Sequence, residues 1–121
     1  MNDYRDMGLA ECLEFYREVT AAGDAETLRH MCRTDRFFLL VSVLGVTHMA
    51  NEWCYARCRE VEAAPDGYLD LWSRGHYKST IITVGGIVQE VLRNPELTAC
   101  VLSYNVATAH KFVGSIKEAL E

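Results

Sequence analysis

Apolar positions in the first half of the chain recur every three or four residues, the period of an amphipathic helix. Leu9, Leu13 and Tyr16 form such a stripe, with Glu11, Glu14, Arg17 and Glu18 on the opposite face. Gly23 is a helix stop, and Asp24 or Thr27 can cap a second helix. Asp35 can cap a third, which runs through Phe37, Phe38, Leu39, Leu40 and Val41 and ends near Gly45. That segment has no polar face, so it is expected in the core. Residues 47–64 read as a fourth helix, with Ala50, Trp53, Cys54 and Val61 inward and Glu52, Arg59, Glu60 and Glu62 outward. Pro65, Asp66 and Gly67 then break the pattern.

The period changes after this break. Residues 68–72 predict a short strand and 73–77 a loop. Residues 78–93 predict a helix, because Ile81, Val84, Val88 and Val91 step by three, four and three. The Gly85–Gly86 pair inside it costs roughly 1 kcal/mol per glycine against Ala, which close packing on a sheet would explain. Asn94–Pro95 ends the helix. Residues 97–104 (LTACVLSY) predict a second strand, apolar enough for burial on both faces. Asn105 caps a last helix carrying Ala109, Phe112, Val113, Ile116 and Leu120. The expected fold is α/β: a helical region over 1–66, then β-α-β-α over 67–121, the two strands parallel and joined by a right-handed crossover.

Composition narrows the classes. The 121 residues suit one ordinary domain. Twelve Lys+Arg against 17 Asp+Glu give a net charge of −5, which argues against sequence-blind nucleic-acid binding over a basic face. The longest apolar run, 37–41, is far short of the roughly 20 residues of a spanning helix, and the first residues hold no signal-peptide core. A cytoplasmic protein is expected. Five cysteines with no C-x-x-C argue for reduced thiols over a disulfide framework. Cys54 and Cys58 would share a helix face. A metal would also need His48 or His30, and no tight Cys/His ligand pattern is present.

The stretch that carries chemistry is Leu69-Asp70-Leu71-Trp72-Ser73-Arg74-Gly75-His76-Tyr77-Lys78-Ser79-Thr80. A strand feeding a short loop, with Lys-Ser opening a helix, is the arrangement that binds phosphate. Free backbone N–H groups and the positive end of the helix dipole face the anion. A lysine at the helix start reaches the β- and γ-phosphates, and the next hydroxyl can hold Mg²⁺. The pattern G-x-x-x-x-G-K-[ST] is not matched, since its glycine positions fall on Trp72 and Tyr77 and only Gly75 supplies backbone freedom.

RGHYKST after a short strand resembles the deviant Walker A loop of the large subunit of tailed-phage terminases, the DNA-packaging motors. Residues 81–95, 98–104 and 107–117 resemble the helix, strand and following helix of that family's ATPase domain. The helix with His48 and Glu52 lies where the family has a helix leading to the adenine pocket. The likeness covers about residues 47–121. It implies a P-loop ATPase core of the ASCE type that binds ATP and Mg²⁺ and, in a full-length motor, works with viral DNA, a terminase small subunit and the portal in the host cell cytoplasm. By the same resemblance Lys78 would bind the β/γ-phosphates and Ser79 would be the Mg²⁺ ligand, with Thr80 a substitute. Arg74 would lie near the γ-phosphate. Ser73, Gly75, His76 and Tyr77 would complete the nucleotide-binding cradle.

No apolar strand ending in Asp-Glu follows residues 97–104, so these 121 residues lack a Walker B pair, the base for water and the acidic nuclease cluster. The expectation is therefore the first third of an ATPase domain, binding nucleotide without turning it over. The alternative is a non-enzymatic helical α/β interaction module whose turn resembles a phosphate loop by chance. His30, His48 and His110 lack partners at catalytic spacing and are expected on helix surfaces. Trp53 is expected in the core, Trp72 in packing beside the loop, Asp70 pointing outward and Lys111 and Lys117 on a solvated face.

Overall fold

The computed structural model describes residues 4–64, 69, 71–72 and 77–121. A 3₁₀ turn, Tyr4–Asp6, leads into α1 (Leu9–Ala22) and α2 (Ala25–Thr34). Next comes α3 (Arg36–Phe38), continued by a π-wound turn, Leu39–Val43. A 3₁₀ turn, Thr47–Met49, precedes α4 (Glu52–Ala63). A second π-wound turn, Ser79–Val84, runs without a break into α5 (Gly85–Arg93), and α6 (Val106–Leu120) closes the chain.

Local chemistry accounts for most of these boundaries. Gly23 ends α1 in the left-handed conformation at φ 68°, and Gly45 takes φ 73° after the third helical segment. Asp35 accepts a hydrogen bond from the Phe38 N–H at 3.1 Å, and Asn105 from the Thr108 N–H at 2.7 Å, so both act as the expected caps. The fourth helix starts later than its apolar pattern suggests. Asn51 accepts from the Cys54 N–H at 2.9 Å, and this cap fixes the start at Glu52.

The α/β expectation is overturned: no strand occurs among the described residues, which are otherwise helices and connections. Within 68–72, Leu69, Leu71 and Trp72 are described and irregular, and residues 97–104 are irregular as well. Leu71 is 82% exposed and Leu102 89%, so neither segment is the buried strand its composition suggests. A strand gains its backbone hydrogen bonds only from a neighbouring strand. The described residues of the two segments form no ladder, and apolar, β-prone composition by itself leaves residues 97–104 irregular. The parallel pairing and its crossover fall with them. The break at Pro65, Asp66 and Gly67 lies outside the described residues.

The core is made by helices on helices. Cys12 and Tyr16 of α1, Met31 of α2, Phe37 and Phe38 of α3, and Cys54, Tyr55 and Cys58 of α4 are buried together with Leu40, Met49 and Ile81. Tyr16 and Phe38 meet edge to face at 5.0 Å, and Phe37 and Tyr55 at 5.1 Å. A smaller cluster joins Leu39, Val88 and Ile116. The third helical segment is core, as its lack of a polar face requires. Trp53 is not: it is 37% exposed at the edge of α4 and meets Trp72 edge to face at 5.3 Å.

The glycine pair has a helical explanation in place of the expected sheet. A Cβ on Gly85 would stand 3.2 Å from both Leu40 methyls and 3.0 Å from the Thr80 carbonyl oxygen. Gly85 therefore lets α5 approach the π-wound turn of residues 39–43 at backbone distance. A Cβ on Gly86 would meet the Arg36 guanidinium at an ordinary 3.6 Å.

Candidate functional site

The helix that carries the Lys-Ser pair begins where the sequence places it. Tyr77 lies just before it with φ 61°, alone among the described non-glycine residues in having positive φ. Lys78 is already right-handed helical, at φ −55° and ψ −49°. A tyrosine in this left-handed region costs about 1–2 kcal/mol. The Tyr77 carbonyl accepts the Ile81 N–H at 2.8 Å, which closes the first turn. The N–H groups of Lys78, Ser79 and Thr80 precede that bond, so they have no partner within the helix. The Lys78 side chain makes no cap hydrogen bond to the π-wound turn that starts at Ser79.

Lys78 and Ser79 are exposed and Thr80 is half-buried. Ile81 anchors the turn, fully buried among residues of α1, α3 and α4. The extra residue of the π-wound turn is visible in the bond from the Gly85 N–H to the Thr80 carbonyl. Arg36 braces the same turn, donating from Nη1 to the Ile81 carbonyl at 3.4 Å and from Nε to Gln89 Oε1 at 3.3 Å.

Aromatic side chains flank the helix start. The half-buried Tyr77 ring lies 5.1 Å from the imidazole of His48, at an interplanar angle of 42°. His48 sits on the 3₁₀ turn that buries Met49, and the Asn51 side-chain amide donates to the His48 carbonyl at 3.2 Å. The Arg57 guanidinium stands 5.6 Å from the Trp53 ring centroid, beside the Trp53–Trp72 contact.

Of the sequence-derived site, Tyr77, Lys78, Ser79 and Thr80 are together at one helix start. Ser73, Arg74, Gly75 and His76, and Asp70 before them, lie outside the described residues. His48, expected as an isolated surface histidine, is exposed but packs on Tyr77. His30, His110, Lys111 and Lys117 are exposed, as expected. Cys54 and Cys58 share the inner face of α4, and burial pushes the Cys58 thiol up to about 12. Among the described residues no group of three or more His, Cys, Asp or Glu side chains could hold a metal ion. At the turn, Ser79 therefore offers a single hydroxyl ligand.

A second polar cluster was only half legible. Asp35, read as a cap, is fully buried and also accepts from the Tyr4 hydroxyl at 2.7 Å, the Tyr16 hydroxyl at 2.6 Å and Arg59 Nη1 at 2.8 Å. Arg59 and Glu62, expected on the outer face of α4, have side chains only 16% and 15% exposed and face each other at 3.5 Å. Burial lowers the Arg59 pKa, but the hydrogen bond and charge of Asp35 outweigh it and hold the guanidinium above its usual range. Burial, then the Asp35 charge, pushes the Tyr4 and Tyr16 hydroxyls well above the usual phenol range. Burial raises the Glu62 carboxyl too, against the Arg36 N–H donated to it at 2.7 Å. The signal that could have found this cluster is the four-residue step from Tyr55 to Arg59, which puts Arg59 one turn on along the buried face of α4.

An apolar cavity of about 560 Å³ lies between α2, α5 and α6, lined in part by Leu28, Leu39, Val88 and Leu120, and contains none of the turn residues. Among the described residues no helix is long and apolar enough to cross a membrane. Compared with known proteins, the chain matches no family, no curated protein and no solved structure.

Proposed function

We propose that this chain binds the phosphates of a nucleotide at residues 77–80, as the nucleotide-binding part of a DNA-packaging ATPase of the terminase large-subunit type. The observation that carries the reading is the backbone of Tyr77. It holds φ 61° directly before Lys78-Ser79, the position that the G-K-[ST] pattern gives to glycine. The residue identity departs from the pattern while its conformation is the one a glycine supplies. Behind it stand the N–H groups of a first helical turn and an exposed ammonium, which together suit a phosphate. A sheet is not needed for that contact, because the donors belong to the helix.

In this reading Lys78 takes the β/γ-phosphates and Ser79 offers one oxygen to Mg²⁺, whose other ligands would be phosphate and water oxygens. Arg74, with Ser73, Gly75 and His76, would complete the cradle, as the RGHYKST resemblance implies. ATP as the nucleotide, and viral DNA, a small subunit and a portal as partners in the host cytoplasm, rest on that resemblance alone. The experiment is a calorimetric titration of ATP into the wild-type and Lys78→Ala proteins, with and without Mg²⁺. Lys78→Ala should weaken binding at least tenfold, about 1.4 kcal/mol. Identical titrations would reject the site.

A second reading is favoured by one observation. Leu69, Leu71, Leu102 and Tyr104 are 75–89% exposed, more large apolar surface than a surface segment usually leaves open. A non-enzymatic helical interaction module would use these segments to bind a protein partner. It predicts no ATP binding at all.

A further inference from the structure

We infer that His48 is a positioning residue for the turn at Tyr77–Thr80, its ring holding Tyr77 in the left-handed conformation that opens the helix start. The inference rests on the phosphate reading for its purpose, though not for its geometry. A tyrosine has no intrinsic reason to sit at φ 61°, so something around it must over-determine that state. Its ring packs at the edge of the main core cluster and meets the imidazole of His48, 5.1 Å away between ring centroids. His48 is itself fixed from behind. Its carbonyl accepts from Asn51 Nδ2, while Asn51 Oδ1 caps α4, and the adjoining Met49 is fully buried. The imidazole is therefore a braced surface against which the tyrosine ring rests.

If Tyr77 relaxed to the right-handed region, the helix would extend through it and preceding carbonyls could come round to the N–H groups of Lys78, Ser79 and Thr80. The 2.8 Å bond to Ile81 would survive, but the open donors of the first turn would be closed. His48 acts through Tyr77 and needs no contact with phosphate. Its role is packing, so an uncharged ring of similar size should replace it. A glycine at 77, which enters the left-handed region freely, should make it unnecessary.

Two measurements on the full chain test this. The first is the intraresidue amide-to-Hα cross-peak of Tyr77, which is strong when φ is positive. It should be strong in the wild type and His48→Phe, and lost in His48→Ala. The second is ATP affinity measured with Mg²⁺. His48→Ala should weaken it about fivefold or more, and His48→Phe should stay within twofold of the wild type. The double variant His48→Ala/Tyr77→Gly should match Tyr77→Gly alone within twofold. A strong Tyr77 cross-peak in His48→Ala overturns the inference, as does an equal loss of affinity from His48→Ala in both backgrounds. Failure of the phosphate reading looks different: Lys78→Ala then leaves ATP binding unchanged, and the cross-peak still decides whether His48 sets the Tyr77 backbone.

Discussion

The carboxylate of Asp35 and the ammonium of Lys78 have opposite surroundings. Asp35 is sealed among α1, α3 and α4, and its oxygens take hydrogen bonds from two tyrosines, an arginine and a backbone N–H. Lys78 is exposed at the start of a helix whose first N–H groups have no partner within it. In the first region the polar groups, Arg59 Nε excepted, are spent on holding helices together. In the second the polar groups are left facing solvent, where a ligand can meet them. If the proposed phosphate contact holds, stability and binding fall to different residues, and the two should respond to mutation independently.

The largest expected effect tests that division directly. Asp35→Ala removes the buried acceptor shared by Arg59 and two tyrosine hydroxyls, leaving Arg59 with Glu62 and Tyr16 as its oxygen partners, which should cost about 3–5 kcal/mol and lower the thermal midpoint by roughly 10 °C or more. Lys78→Ala, measured in the same thermal scans, should stay within about 0.5 kcal/mol of the wild type. Similar losses for the two would break the comparison.

High pH should attack the sealed region first. The Cys58 thiol is held protonated up to about 12 in the fold, whereas in the unfolded chain it ionises at its ordinary 9.0. Between those values the folded state holds a proton that the unfolded state has released, so stability falls as pH rises, by about 1.4 kcal/mol per pH unit for this one thiol. The contribution is complete below pH 9. Denaturant midpoints taken every half unit from pH 8 to 11 should bend downward from about 9. Cys58→Ala should flatten the first part of that slope, and an unchanged slope would move the cause to the Cys54 and Cys32 thiols, which burial also raises, and then to Tyr4 and Tyr16.

The contact that positions the turn is sharpened by the glycine pair. Gly85→Ala forces a methyl against the Leu40 side chain and the Thr80 carbonyl, at a cost of about 1–3 kcal/mol. Gly86→Ala finds ordinary contact distance and should gain about 0.5–1 kcal/mol from helix propensity. Chemical denaturation of the two neighbours should therefore move in opposite directions. The same sign for both would mean that α5 does not rest on Leu40 through Gly85.

The helices were legible because their signals are local. The caps at Asp35 and Asn105, the stop at Gly23 and the apolar run at 37–41 each act within one or two turns. The strands failed because a strand is not a local property: residues 97–104 have the composition of one and no strand beside them among the described residues. Arg59 and Glu62 misled for a related reason. Their charge suggests solvent, and only the fold brings Asp35 and Tyr16 to meet them. At the candidate site, the place of Lys78 and Ser79 at a helix start was legible, but the left-handed Tyr77 has no signature in a residue type that normally avoids it.

The π-wound turn at Ser79–Val84 also sets a phase. It carries one residue more than an α-helical turn of the same height, so everything before it is rotated by about 100° relative to the faces of α5. Ile81, Gly85 and Val88 are all buried, and the offset changes the direction in which Lys78 leaves the helix relative to the last two. Removing one residue within the turn would keep the helix and its core-facing valine while turning the lysine to another side. The helix is thus a dial with one extra notch, and the notch, more than the helix, decides what Lys78 can reach.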